Sequence, residues 1–278
     1  VNCPNCLLLS FRANRDQWEE DEKIEILSYE QKLDMKKGIL FKDRKIRDRS
    51  GNVTTIREER IVNMKYPHLV SIKYSVTPEN YSGNLLVRSF INGAVKNEGV
   101  ARYGELNSKH LKEVSSDAPG GELIRLTMET NESGILISEA SRLRVFASGK
   151  KLKYERKVIN GKERVGCELS LPARRKKTVT LEKTCAVFTS RDKGVSSPAK
   201  EALSAVSEAG SFSALSRSHQ KEWKGLWDRC DINIEKDIFS ETILRFHIFH
   251  LLQSASPHNT WIDAGLAARG LHGESYRG

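Results

Sequence analysis

Period-two alternation of apolar and polar residues dominates roughly the first 190 positions, and a chain so patterned can bury its apolar side chains only as strands. Residues 39–47 and 53–62 alternate around Ser50-Gly51-Asn52, with charged side chains that keep one face in water. Leu85, Val87, Ser89 and Ile91 alternate into Asn92-Gly93, the dipeptide that supplies positive φ for a two-residue hairpin turn. Asn160-Gly161 repeats the device between residues 154–159 and 165–171, and a further strand covers 179–187. Pro119-Gly120-Gly121 and Ser133-Gly134 punctuate segments 123–128 and 135–146. Strands and turns at this spacing predict a large antiparallel sandwich or barrel.

The period changes near Ser196. Ser197-Pro198 places a capping hydroxyl and an N1 proline ahead of Ala-rich sequence, a helix start. Gly210 interrupts, and a second helix is expected from about 213 to 229, where His219, Trp223, Leu226 and Trp227 share one stripe. Asp231 to Glu235 alternates as a short strand. A third helix is expected over 239–254, with Ile243, Phe246, His247, His250, Leu251 and Ser254 near one face, ended by Pro257. A long β part followed by helices argues for two domains joined by a helical linker.

Composition narrows the function classes. The net charge is +10, and residues 142–183 carry 14 Lys and Arg against 4 Glu, the size of the whole excess. Lys150-Lys151 and the run from Arg174 to Lys177 fall beside expected turns, with no interleaved aromatic residues to stack bases. The window therefore reads as a solvated hairpin edge, where Lys and Arg discourage edge pairing, and no nucleic-acid partner is expected. No apolar run approaches the roughly 18 residues of a membrane span, and no signal-peptide pattern opens the chain, so a cytoplasmic protein with no membrane partner is expected. The five cysteines argue against a disulfide framework, and Cys3-Pro-Asn-Cys6 lacks the second pair a zinc site needs. Val1 is not an initiator Met and Gly278 closes a Gly-rich charged stretch, so the chain is read as part of a longer protein.

No phosphate loop, dinucleotide fingerprint, Gly-x-Ser-x-Gly or His-Glu-x-x-His motif is present. His247 and His250, three apart on a helix, lack a neighbouring carboxylate or Cys ligand and read as packing or capping residues, and His219 as a buried hydrogen-bonding one. The chemistry-bearing segment is the last, Ala268-Arg269-Gly270-Leu271-His272-Gly273-Glu274-Ser275-Tyr276-Arg277-Gly278. Its glycines permit close backbone approach, while Arg, His, Glu and Tyr offer the mixed polar and aromatic surface that sugars and phosphate use.

The pattern Arg269-Gly270-Leu271-His272-Gly273-Glu274-x-Tyr276-x-Gly278 resembles the motif that opens the active-site region of glycoside hydrolase family 65, which holds maltose, trehalose and kojibiose phosphorylases and some trehalose hydrolases. Residues 246–255 resemble that family's first barrel helix, His219-x-x-x-Trp223-x-x-Leu226-Trp227 its linker, and residues 77–83 with 92–103 its sandwich. The resemblance implies a mainly β N-terminal super-sandwich over 1–192 with its first part missing, an α-helical linker over 193–236, and the start of an (α/α)6 barrel over 237–278.

It further implies an inverting phosphorylase. A Glu protonates the glycosidic oxygen while inorganic phosphate, the co-substrate, attacks the anomeric carbon, giving β-glucose 1-phosphate. No cofactor or metal is implied, and the parent is expected to be a homodimer. The general acid falls beyond residue 278, as does the family's Phe-Trp-Asp segment, so the catalytic set within this chain is empty. Arg269, His272, Glu274, Tyr276 and Arg277 are the expected substrate-binding residues, with Glu274 structural rather than catalytic. A trehalase-like hydrolase and a non-catalytic carbohydrate-binding sandwich are the alternatives.

Overall fold

The computed structural model describes residues 2–14, 16, 18–19, 24–97 and 107–259. Thirteen strands among them form two antiparallel sheets. The smaller has the order β1-β6-β12-β11, from Leu9–Ala13, Gly83–Asn92, Arg164–Ala173 and Glu155–Gly161. The larger has the order β2-β3-β4-β5-β13-β9-β8-β7, from Glu25–Asp34, Ile39–Arg47, Val53–Val62, Leu69–Pro78, Val179–Thr189, Leu136–Ala147, Leu123–Thr130 and Leu111–Asp117. The two-residue β10, Lys150–Lys151, pairs with β9. The resulting architecture is the expected antiparallel sandwich. Its edge strands β2 and β11 are exposed and rich in charged residues, which deters further pairing.

Alternation determines the core. Odd positions of β13 and β9 (Val179, Leu181, Leu143, Val145) face the small sheet and meet Leu85, Val87, Leu169 and Leu171, all buried. Even positions face the other way, where Ala140 and Ala186 let helix α1 (Pro198–Glu208) approach through Ala202 and Val206. The centre of the large sheet is thus covered on both faces, by the small sheet and by helices. Helix α1 begins as its sequence dictates: the Ser197 side chain accepts from Lys200 N and Pro198 occupies the first turn. Helices α2 (Phe212–Cys230) and α3 (Ile238–Ser254) follow, then a 3-10 turn Pro257–Asn259. Among the described residues, no helix is long and apolar enough to cross a membrane.

Four local expectations are corrected. Asn92-Gly93 is not a hairpin turn: β6 is already paired with β1 on one side and β12 on the other, so no edge remains for the next strand. Neither residue has positive φ, and Gly93 instead donates its N–H to Glu163 O at 2.7 Å. The β11–β12 hairpin exists, but Asn160 and Gly161 lie in the strands and Lys162-Glu163 make the turn. Glu163, at φ +57°, is held there by Lys109 and by its carbonyl bond to Gly93. Residues 231–235 form no strand; Asp231 instead caps the end of α2 and pairs with Lys36 and Arg245.

The basic window, finally, is only partly a solvated edge. Lys183 is fully buried between the sheets and donates to Leu8 O (2.9 Å) and Phe90 O (3.0 Å). Nearby, Cys185 Sγ donates to Cys6 O at 3.2 Å, and burial pushes the Glu139 carboxyl well above the usual carboxylate range. Arg142 and Arg144 reach the carbonyls of Ser207, Ala209 and Gly210, satisfying the end of α1 with positive charge. Lys150 and Lys151 are the exposed edge residues expected.

Candidate functional site at the junction of sandwich and helices

The sequence-derived binding residues Arg269, His272, Glu274, Tyr276 and Arg277 lie outside the described residues. The structure does show how α3, the helix preceding that segment, is joined to the sandwich. The join is built on α2. Ser211 caps it by accepting from Ala214 N, and Phe212, Leu215, His219, Trp223 and Trp227 recur on its buried side.

Two sandwich loops receive that stripe. In the β2–β3 turn, Gly38 has φ +65°, and a Cβ there would sit 2.1 Å from Trp223 Nε1. The indole lies so close over the backbone that only glycine fits. Its Nε1–H has no acceptor among the described residues, whereas Trp227 Nε1 donates to Met35 O at 2.8 Å. His219 joins this turn to the β4–β5 loop. Its Nδ1 accepts from Met64 N at 3.0 Å, so Nε2 carries the proton and donates to Gly38 O at 2.9 Å. Burial lowers its pKa, in keeping with a neutral ring serving two backbones.

Helix α3 packs onto this platform through Phe249, with Ile248 and Leu252 partly buried beside it. Phe249 is buried and stacks on Trp223, with centroids 4.7 Å apart and planes 20° apart. Arg245 forks onto both oxygens of Asp231 at 2.6 and 3.0 Å, tying α3 to the C-cap of α2. Arg245 and Lys36 together hold the Asp231 carboxyl below its ordinary range. Beyond the helix, His258 Nε2 lies 2.7 Å from Met64 O, returning the chain to the same loop. Among the described residues, other apolar positions of α3 lie open: Phe239 is 75% exposed, Leu251 61% and Phe246 46%. His247 and His250 are exposed, and His250 sits edge-on to Phe246 at 4.3 Å. Among the described residues no group of His, Cys, Asp and Glu is arranged to hold a metal.

Sequence reading missed a basic cleft of about 740 Å³ between this turn and α2, where Lys36 and Lys37 meet Arg217, Lys221 and Lys224. Asp228 and Asp231 offset part of that charge through Lys224 and Lys36. Its two halves lie some 180 positions apart, and no local pattern announces their meeting.

The family model for the N-terminal domain of glycosyl hydrolase family 65 matches residues 1–226. The chain belongs to this family. Over all 278 residues it is 36% identical to an uncharacterized glycosyl hydrolase of Mycobacterium tuberculosis, spanning 21% of that protein. It is 32% identical to the kojibiose phosphorylase of Caldanaerobacter subterraneus, with the whole chain covered and 36% of the relative. The α,α-trehalose phosphorylase of Thermoanaerobacter brockii is 29% identical over 91% of the chain and 33% of its own length. A solved chain described as a candidate kojibiose phosphorylase from human microbiome superposes with a TM-score of 0.78, at 16% identity, over 91% of this family 65 chain and 32% of its own. That likeness shows the shared fold. The chain thus spans about a third or less of these relatives.

Proposed function

We propose that this chain is the sandwich, linker and first barrel helix of an inverting family 65 phosphorylase that cleaves a glucose-containing disaccharide with inorganic phosphate. The observation that carries the reading is the match to kojibiose phosphorylase along the chain's full length. In this reading residues 1–192 are the sandwich, 193–236 the linker and 237–278 the opening of the (α/α)6 barrel. The exposed apolar side of α3 supports it, since an inner barrel helix needs further helices to cover it. The parent acts in the cytoplasm as a homodimer and needs no cofactor.

Chemically, a Glu beyond residue 278 gives its proton to the glycosidic oxygen as the bond to the anomeric carbon breaks. A phosphate oxygen forms the new bond from the opposite face, so β-glucose 1-phosphate and a free sugar leave. Phosphate is already nucleophilic, so one carboxyl group suffices where an inverting hydrolase needs two. Arg269, His272, Glu274, Tyr276 and Arg277 contribute one wall of the sugar and phosphate pocket, with Glu274 bracing the arginines. The Trp223–Phe249 stack sets where α3 stands against the sandwich, so α2 positions the helix that precedes this wall.

A panel of kojibiose, trehalose, maltose and nigerose, each with phosphate, tests the reading. The parent is expected to release β-glucose 1-phosphate from one of them, and the 278-residue chain from none, because it lacks the acid. Phosphate-independent release of glucose alone by the parent would replace phosphorolysis with hydrolysis. Turnover by the chain itself would show that the acid lies within it, and Glu274 would be the first residue to mutate.

A further inference from the structure

Away from the α3 junction, the β4–β5 loop and the end of β13 face the corner between α1 and α2 across a cavity of about 470 Å³. That volume lies in the range that encloses small ligands. Its floor is apolar, formed by Leu69, Ala205 and Leu215. At one side stands Tyr66, 48% exposed, beside His68, whose ring stacks on Phe188 at 3.9 Å with planes 11° apart. From the helices, Glu208 adds a carboxylate.

These walls are held by the chain's own hydrogen bonds. Asn63 is buried; its Oδ1 accepts from Lys65 N and Tyr66 N, both at 2.9 Å, and its Nδ2 donates to Leu215 O at 3.0 Å. The aromatic loop is thereby pinned to α2. His68 Nδ1 lies 2.9 Å from Val187 O. A carbonyl only accepts, so Nδ1 carries the proton, and Nε2 is the ring's other polar atom. Glu208 Oε1 accepts from Ser204 Oγ at 2.6 Å, which orients the carboxylate and leaves it further acceptor capacity. Aromatic faces, an apolar floor, an imidazole nitrogen and a carboxylate suit a ligand with C–H faces and a rim of hydroxyls. A pyranose has that chemistry.

We infer that this cavity, lined by Tyr66, His68, Phe188 and Glu208, is itself a sugar site that binds a glucose mono- or disaccharide. The choice of sugar class rests on the proposed function; the aromatic and acceptor geometry does not.

Saturation-transfer NMR on the 278-residue chain, titrated with glucose, kojibiose, maltose and trehalose and with myo-inositol as control, tests the site. Saturable binding of at least one glucoside is expected. Tyr66→Ala and Glu208→Gln, both at exposed positions, should each weaken it about tenfold, a change of about 1.4 kcal/mol, with the thermal midpoint retained. Arg277→Ala, in the other proposed wall, should leave it unchanged. Absence of saturable binding, or binding lost in Arg277→Ala but intact in the two cavity variants, overturns the inference. The two readings fail separately. A parent that makes no glucose 1-phosphate while the cavity binds sugar refutes the phosphorylase, and phosphorolysis without cavity binding refutes this site.

Discussion

Replacing Gly38 by Ala tests the join between sandwich and helices at its tightest point. The new methyl would sit 2.1 Å from Trp223 Nε1 and 2.6 Å from Cδ1, far inside van der Waals contact, at a φ of +65° that disfavours any side chain. Overpacking of this kind costs about 1–3 kcal/mol, and an L-residue in the left-handed region adds about 1–2 kcal/mol. The expected loss is therefore about 2–5 kcal/mol, with further loss if the indole moves off Phe249. Trp223→Ala alone should cost about 3–5 kcal/mol through its cavity. The decisive quantity is the coupling. Without the indole the methyl meets no clash, so Gly38→Ala in a Trp223→Ala background should cost only the conformational part, about 1–2 kcal/mol. Urea unfolding followed by far-UV circular dichroism measures all four proteins, which avoids relying on the tryptophan being removed. Equal costs in both backgrounds would show that Gly38 is needed for its φ alone, and a neutral Gly38→Ala would place the indole elsewhere.

Two pH-dependent outcomes follow from buried titrating groups. The Glu139 carboxyl has a folded pKa raised well above its unfolded value by burial, so it favours the fold below about pH 4.3 and penalises it as pH rises toward the folded value. Glu139→Gln should match the parent chain near pH 4 and exceed its thermal midpoint increasingly toward pH 8; a lower midpoint at pH 8 would mean that the carboxylate is a needed counter-charge for Lys183. His219 shows the opposite direction: burial depresses its folded pKa, so its contribution is full above about pH 6.5 and fades as pH falls through the folded value. The stability lost between pH 7 and 5 should shrink in His219→Gln, and an unchanged pH slope would show that the ring is not held neutral between Met64 and Gly38.

The chain's own order of residues determined much of this protein. Alternation announced β3, β4 and β13, Ser197-Pro198 announced the start of α1, and the spacing of His219, Trp223 and Trp227 announced the buried side of α2. These signals are local, because strand pleat, helical pitch and capping each act within a few residues. The closing motif and its upstream companions were likewise enough to indicate the family. Tertiary structure decided the rest. Asn92-Gly93 has the chemistry of a turn, yet β1 and β12 occupy both edges of β6, and pairing outweighs turn preference. Lys183 has the look of a surface cation, yet two carbonyls from residues 8 and 90 let it lie in the core. The glycine beneath Trp223, the histidine joining Met64 to Gly38 and the cavity beside His68 all unite residues more than a hundred positions apart. Only the packed sheets bring such partners within a few ångströms, and no periodicity along the chain records which distant residues will meet.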